Sequence, residues 1–210
     1  MLWSELKVQI GRKVNDPAVT KFAASIMDNA NDALRLLASA HTGVASVSDI
    51  TGDGETTQFP LPSNAVDSVT NQVYGVYDVT NDKWLTEVSF LPNTHMENGY
   101  YVWPDKNINF NPYVPNAYVY RVYYIAYYDV IVDDNSAITV PGWAIEAIKM
   151  YAAGRTLEDQ ASTMALLGQF RTRVDSGNPE DQPILRLAQS YIQQFWEIIN
   201  QNRAPQYDLR

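Results

Sequence analysis

Carboxylates are the first candidates for chemistry in this chain, because cysteine is absent and histidine occurs only at His41 and His95. Two acids held a fixed distance apart across a sugar can hydrolyse a glycosidic bond when burial raises the pKa of one of them. Sequence proximity offers Asp78 with Glu87, and Asp129 with Asp133. Proximity along the chain does not set that distance, and a solvated surface is the ordinary place for Asp and Glu. The run Asp49-Ile-Thr-Gly-Asp-Gly-Glu places acids around glycines but departs from the calcium loop, which alternates oxygen ligands and ends on a bidentate Glu. Gly52 and Gly54 fail the dinucleotide pattern, since Thr57 stands where the third glycine belongs. No G-x-S-x-G is present, neither histidine has a context that would orient it as a base, and cysteine nucleophiles, thiolate metal sites and disulfides are excluded. The reading is of a non-enzyme with no metal and no cofactor. Aromatic platforms on β-domains stack against sugars, so Trp84, Trp103, Tyr100 and Tyr101 define an alternative, a glycan-binding module; strand aromatics more often fill cores or meet protein partners.

Elements that would position these residues fall into three blocks. Trp3, Leu6, Ile10 and Val14 recur at spacings of three and four and predict a short amphipathic helix. Asn15-Asp16-Pro17 then breaks the chain, with Asp16 as N-cap and Pro17 at the first position of a second helix that carries Phe22, Ile26, Ala30, Ala33, Leu34 and Leu37 and stops at Gly43. From Asp49 the period changes. Turn chemistry at Thr51–Asn64 leads into a short run limited by two prolines, and β segments are predicted at Val69–Val79, Trp84–Leu91, Gly99–Trp103, Ile108–Phe110 and Ala117–Val132.

Seven of the fourteen tyrosines lie between Tyr113 and Tyr128. Within that block one strand face carries Tyr118, Tyr120, Val122, Tyr124, Ala126 and Tyr128, and the other Val119, Arg121, Tyr123, Ile125 and Tyr127, so neither is plainly polar. After the acidic turn Asp133-Asp134-Asn135-Ser136, Pro141 opens a helix with Ala144, Ile148, Tyr151, Ala152, Ala161, Met164, Ala165 and Gly168 on its stripe. The last helix follows a cap at Asn178 or Asp181 and makes its apolar face from Leu185, Ala188, Ile192, Phe195 and Ile199. These blocks predict an α+β protein: a helical bundle of about four helices from residues 1–48 and 141–202, an inserted antiparallel β-sandwich or barrel-like domain at 49–140, and an extended tail at 203–210.

At 210 residues and 46% hydrophobic the chain is large enough to bury a sizeable core. The net charge of −9 sits in the middle: residues 49–140 hold three basic and twelve acidic groups, whereas 1–48 hold five and four. Such a segment repels nucleic acid. Glu5 and Lys7 interrupt the opening apolar positions and no stretch approaches a membrane span, so an intracellular product with no membrane partner is expected.

Four stretches follow one another along the chain: Val14-Asn-Asp-Pro; Asp28-Asn-Ala-Asn-Asp-Ala-Leu-Arg-Leu-Leu-Ala; Gly52-Asp-Gly-Glu-Thr-Thr-Gln-Phe-Pro-Leu-Pro; and Ile138-Thr-Val-Pro-Gly-Trp-Ala-Ile-Glu-Ala-Ile-Lys-Met-Tyr-Ala-Ala-Gly-Arg-Thr-Leu-Glu. In order and spacing they resemble the head-to-tail adaptor (connector) proteins of tailed bacteriophages, of the short-tailed type. The resemblance implies a structural virion protein at the neck, assembled in the host bacterial cytoplasm as a dodecameric ring between the portal and the tail nozzle. It implies a C-terminal extension into the portal, which here is Arg203, Pro205, Tyr207, Leu209 and Arg210. Tyr118, Tyr120, Tyr123, Tyr127 and Trp143 are the candidate subunit or partner contacts. Asp78, Asp82 and Asp105 are the candidates for a channel wall past which DNA slides without specific binding. A head-completion protein of a long-tailed phage is compatible with the same helical core.

Overall fold

Helices form where the chain carries an apolar stripe, and strands where short β-prone runs sit between turns. The computed structural model describes residues 1–66, 73–88, 99–103, 106–170 and 183–202. Among the described residues the class is α+β, with four α-helices and two sheets. The chain divides into two compact units, one made of residues 1–40 and 128–210, the other of residues 41–127.

In the first unit, α1 (Trp3–Lys13) buries Trp3, Leu6 and Ile10, and Val14 follows them into the core. Its first amides find partners in the acidic turn: Trp3 N–H donates to the Ser136 carbonyl at 3.0 Å and Ser4 N–H to the Asp134 carbonyl at 3.2 Å. These are groups that a helix leaves unpaired at its start. Helix α2 (Ala23–Leu37) buries Ile26, Ala30, Ala33, Leu34 and Leu37 as the spacing predicts. It begins six residues after Pro17, which corrects the expected start.

Asp16 is buried, and its carboxylate accepts N–H donors from Thr20, Lys21 and Phe22, so it organises a compact turn ahead of the helix instead of capping it. Burial opposes ionisation of Asp16, yet those backbone donors outweigh it and hold the pKa below the usual value. A π-helical turn, Ala38–Thr42, separates α2 from Gly43, the expected stop.

Helix α3 (Gly142–Phe170) packs against α1, α2 and α4 (Pro183–Asn202). Contact on several sides explains why Ala144, Ala147, Ile148, Ala152, Ala153, Leu157 and Ala161 are all buried, a wider surface than one stripe. The side chains of Met164, Ala165 and Gly168 and the caps at Asn178 and Asp181 lie outside the described residues. Asn29 Nδ2 donates to the buried Thr156 hydroxyl at 3.2 Å and ties α2 to α3. On the other side Tyr151 meets Phe195 with ring centroids 4.8 Å apart.

In the second unit, β1 (Val44–Thr51), β8 (Val119–Ala126), β3 (Val73–Asp78) and β4 (Lys83–Trp84) form one antiparallel sheet in the order β1-β8-β3-β4. A second sheet runs β2-β7-β6-β5, from β2 (Gln58–Pro60), β7 (Asn107–Asn111), β6 (Gly99–Trp103) and β5 (Thr86–Glu87). Its β5–β6 pair is parallel, so the expected wholly antiparallel arrangement is corrected to a mixed one. Residues of both sheets, among them Val76, Ile108, Phe110, Tyr120, Val122 and Tyr124, share one core.

Strand β1 starts five residues before Asp49, where the sequence marks the change of period. The run predicted to Val132 is a strand only to Ala126; beyond it, Ile131 is held by Asn31, which accepts from its N–H at 2.8 Å and donates to its carbonyl at 3.1 Å. Gly52 is required by close approach, since a Cβ there would fall 2.1 Å from the Pro115 carbonyl oxygen. Gly54 is required by its φ of +83°.

Candidate functional site

Period-two alternation in β8 decides which tyrosines face the core. Tyr120, Val122, Tyr124 and Ala126 are buried, while Val119, Arg121, Tyr123 and Ile125 look outward and are half-buried. Antiparallel register places Val47 opposite Tyr123 and Asp49 opposite Arg121 on β1, and Tyr77 opposite Arg121 on β3. A bulge between Val73 and Gly75 inserts Tyr74 as an extra residue and leaves it exposed. Gly75 then takes the outward place opposite Tyr123, and Trp84 of β4 stands opposite Tyr77.

The missing side chain at Gly75 is what seats the indole. A Cβ there would lie 2.8 Å from the Trp84 ring, so the ring rests on the glycine backbone. Its neighbours are Tyr123 at 5.3 Å and Tyr77 at 5.2 Å between centroids, and Tyr74 continues the row 6.5 Å from Tyr123. Trp84 remains 61% exposed, Val47 52% and Tyr74 45%. An aromatic surface of this kind, lying open on a sheet, supports stacking and apolar contact.

Polar groups frame it. Arg121 donates through Nε to Asp49 Oδ1 at 2.8 Å and through Nη2 to Asp49 Oδ2 at 3.0 Å, a bidentate pair. That hydrogen bond holds Asp49 below the usual carboxylate range and raises the guanidinium pKa. The Tyr77 hydroxyl donates to Asp82, and this bond, with desolvation and the nearby carboxylates, pushes the phenol pKa up. Desolvation does the same for Tyr74.

Several expected site residues are engaged within the chain. Tyr120, a candidate subunit contact, is 6% exposed within this chain and packs on Phe110 with centroids 5.1 Å apart. Asp78, a candidate for the channel wall, is 1% exposed within this chain, and its carboxylate accepts from Thr80 N–H, Asn81 N–H and Asn81 Nδ2. Of the acids considered as pairs, Asp78 accepts within its own turn, and Asp133 accepts from Asn135 N–H and the Ser136 hydroxyl.

Tyr118 is half-buried against the β core. Tyr127 is half-buried, with its N–H on the Asn64 carbonyl, and Trp143 is half-buried in the first turn of α3. Tyr123 and Asp82 lie at the aromatic face. Asp105, His95, Arg203, Pro205, Tyr207, Leu209 and Arg210 lie outside the described residues, as does the side chain of Trp103. Of the glycan-platform candidates, Tyr100 is buried, which raises its hydroxyl pKa to about 12, and Trp84 is open.

Sequence reasoning missed Tyr74, Gly75, Tyr77 and Val47 as members of one surface. The signal was Val73-Tyr-Gly-Val-Tyr77, a glycine between aromatics inside a strand, which marks a bulge or a close approach.

Elsewhere, Val14, Asn15, Lys21, Phe22, Ser25, Asp159, Gln160 and Thr163 line a cleft of about 410 Å3. Among the described residues no three His, Cys, Asp or Glu side chains gather as metal ligands. Among them, too, no helix is long and apolar enough to cross a membrane.

The family model described as SU10 adaptor protein matches residues 1–195, and the chain belongs to that family. No curated protein matches it. It is therefore a phage adaptor, a structural component of the virion neck associated with portal and tail components, in a family that is not a known enzyme class.

Proposed function

We propose that this adaptor forms a homo-oligomeric ring, a dodecamer, between the portal and the tail nozzle of a short-tailed phage, and that it assembles in the host cytoplasm. The helical unit docks on the portal and the β unit faces the tail. Arg203–Arg210 reaches into the portal as an extended peptide, with Tyr207 and Leu209 filling apolar pockets, Pro205 limiting the chain's freedom, and Arg203 and Arg210 meeting acidic groups. Asp82 and Asp105 contribute to a channel wall from which the DNA backbone is repelled. Tyr118, Tyr123, Tyr127 and Trp143 serve contacts with other subunits or partners, for which tyrosine suits well because it brings a large contact area with few rotamers to lose.

The observation that carries this reading is the outward face of β1, β8, β3 and β4, which leaves Trp84, Tyr74 and Val47 exposed beside a charge pair that is already satisfied. A surface with that much apolar area and no reactive group is built to be covered. Mixing the purified chain with portal and weighing the product by light scattering tests the assignment. A ring-on-portal mass is expected for the full chain, with attachment lost on deletion of residues 203–210. A full chain that leaves the portal mass unchanged, or a deletion that binds as well as the full chain, overturns it.

A further inference from the structure

We infer that the Trp84 platform receives the guanidinium of an arginine presented by a protein partner. The inference rests on the reading of the chain as a protein-to-protein connector, and it names the chemistry of one contact. Shape is the first argument. Trp84 lies on Gly75, where a Cβ would come within 2.8 Å, and it is braced by Tyr77 and Tyr123, so one ring face is fixed by the protein and the ring stays 61% exposed. A planar cation stacks on an indole face better than on any other side chain, and guanidinium sheds its weakly held water more readily than ammonium.

Charge is the second argument. On this face Asp49 is neutralised by Arg121, whereas the Asp82 carboxylate accepts from the neutral Tyr77 hydroxyl. Residues 41–127 hold three basic and nine acidic groups, so the field around the platform favours a cation.

The same ledger disfavours the other ligands of aromatic platforms. Nucleic-acid bases would bring phosphates toward an acidic unit. A glycan would need free donors at the ring's edge to read its hydroxyls, but the Tyr77 hydroxyl is engaged by Asp82 and the Arg121 fork by Asp49.

The test uses the full chain, isotope-labelled, and a short capped peptide carrying one arginine between glycines. Its counterpart carries citrulline, which keeps the plane and loses the charge. Binding is read from the shift of the Trp84 indole N–H. Saturable perturbation is expected, about fivefold weaker with citrulline, the ratio that an exposed cation–π contact of about 1 kcal/mol gives. Gly75→Val, which lifts the ring, is expected to abolish it. Comparison of the two peptides on the unmutated protein needs no variant to fold. Equal binding of the two peptides, no shift of the Trp84 signal, or tighter binding of maltohexaose than of the arginine peptide overturns the inference. Portal attachment by the unmutated chain is unaffected by any of these results, so failure here is distinct from failure of the adaptor reading.

Discussion

Replacing Asn31 with leucine should release the segment that leads from β8 to α3. In the native chain the Asn31 amide imitates a strand partner, accepting from Ile131 N–H at 2.8 Å and donating to its carbonyl at 3.1 Å, while Ile131 itself is 3% exposed. Leucine is close in size and removes both functions, leaving two backbone groups without their partner. Each buried group so stranded costs about 1–3 kcal/mol, and partial rehydration brings the pair to about 2–4 kcal/mol. A loss of about 2 kcal/mol corresponds to a roughly thirtyfold faster opening-limited exchange of the Ile131 amide.

Asn31→Asp separates the two bonds, because it keeps the acceptor for Ile131 N–H and loses only the donor. Its expected cost is about half that of leucine, with most Ile131 protection retained. Amide exchange read residue by residue, together with urea unfolding, provides the measurement. Unchanged Ile131 exchange in the leucine variant, or an aspartate variant as unprotected as leucine, would refute the strand-mimic reasoning. The consequence extends to α1, since the same segment supplies the Ser136 and Asp134 carbonyls that accept the first α1 amides, and Lys7 pairs with Asp134.

Gly52→Ala is expected to destabilise the β unit by about 3 kcal/mol, because its Cβ would meet backbone oxygens of Pro115 at 2.1 Å and Val114 at 2.6 Å; the drop in unfolding midpoint checks it. Gly154→Ala sets two effects against each other. Alanine favours a helix by about 1 kcal/mol, but the new methyl would lie 2.9 Å from the Ala188 carbonyl oxygen and 2.8 Å from Ile192 Cγ1, and overpacking of about 1–3 kcal/mol prevails. A melting point lower by about 2–4 °C is expected by calorimetry.

Acid should weaken the β unit through depressed carboxylates. Thr56 and Glu55 donors hold Asp53 at about 2, and Arg121 holds Asp49 below the usual carboxylate range. A group whose folded pKa is lowered stabilises the fold above its unfolded pKa and loses that contribution as pH falls through the folded value. Urea midpoints should therefore be flat above about pH 5 and fall between about pH 4 and 2, with part of the fall removed in Asp53→Asn.

Much of the helical unit was legible because α1, α2 and α4 each bury one side. Trp3, Leu6 and Ile10, or Ala188, Phe195 and Ile199, are set by a single period and need no tertiary information. Helix α3 was legible as a helix, but its full buried surface depends on which neighbours surround it. The start of α2 was misplaced because Asp followed by Pro fits an N-cap and an isolated turn equally well. Only the fold around Gly11, where a Cβ would come within 2.5 Å of the Asp16 carbonyl oxygen, selects the turn. Strand β1 was hidden by inverted alternation: it turns Val47 outward and Ser46 and Ser48 inward. Asp78 carries a local signal of its own, since Asp78-Val-Thr-Asn81 has the spacing of a carboxylate closing its own turn.

The aromatic face was not legible, because it is assembled from four strands whose register no local pattern encodes. Gly75 meets Trp84 across a hairpin, and Tyr123 joins them from β8, far along the chain. Yet the ambiguity of β8 was itself physical information. A strand with one solvated face alternates cleanly, and β8 does not, because its outward residues lie within an aromatic surface instead of open water. Exposed apolar area on a sheet invites association that the fold must either prevent or use. Here the Arg121–Asp49 pair sits in that surface with both charges matched, so neither of these two ions repels an incoming protein. The outer side of β8 is undecided between core and solvent in sequence for the same reason that it is suited to a partner.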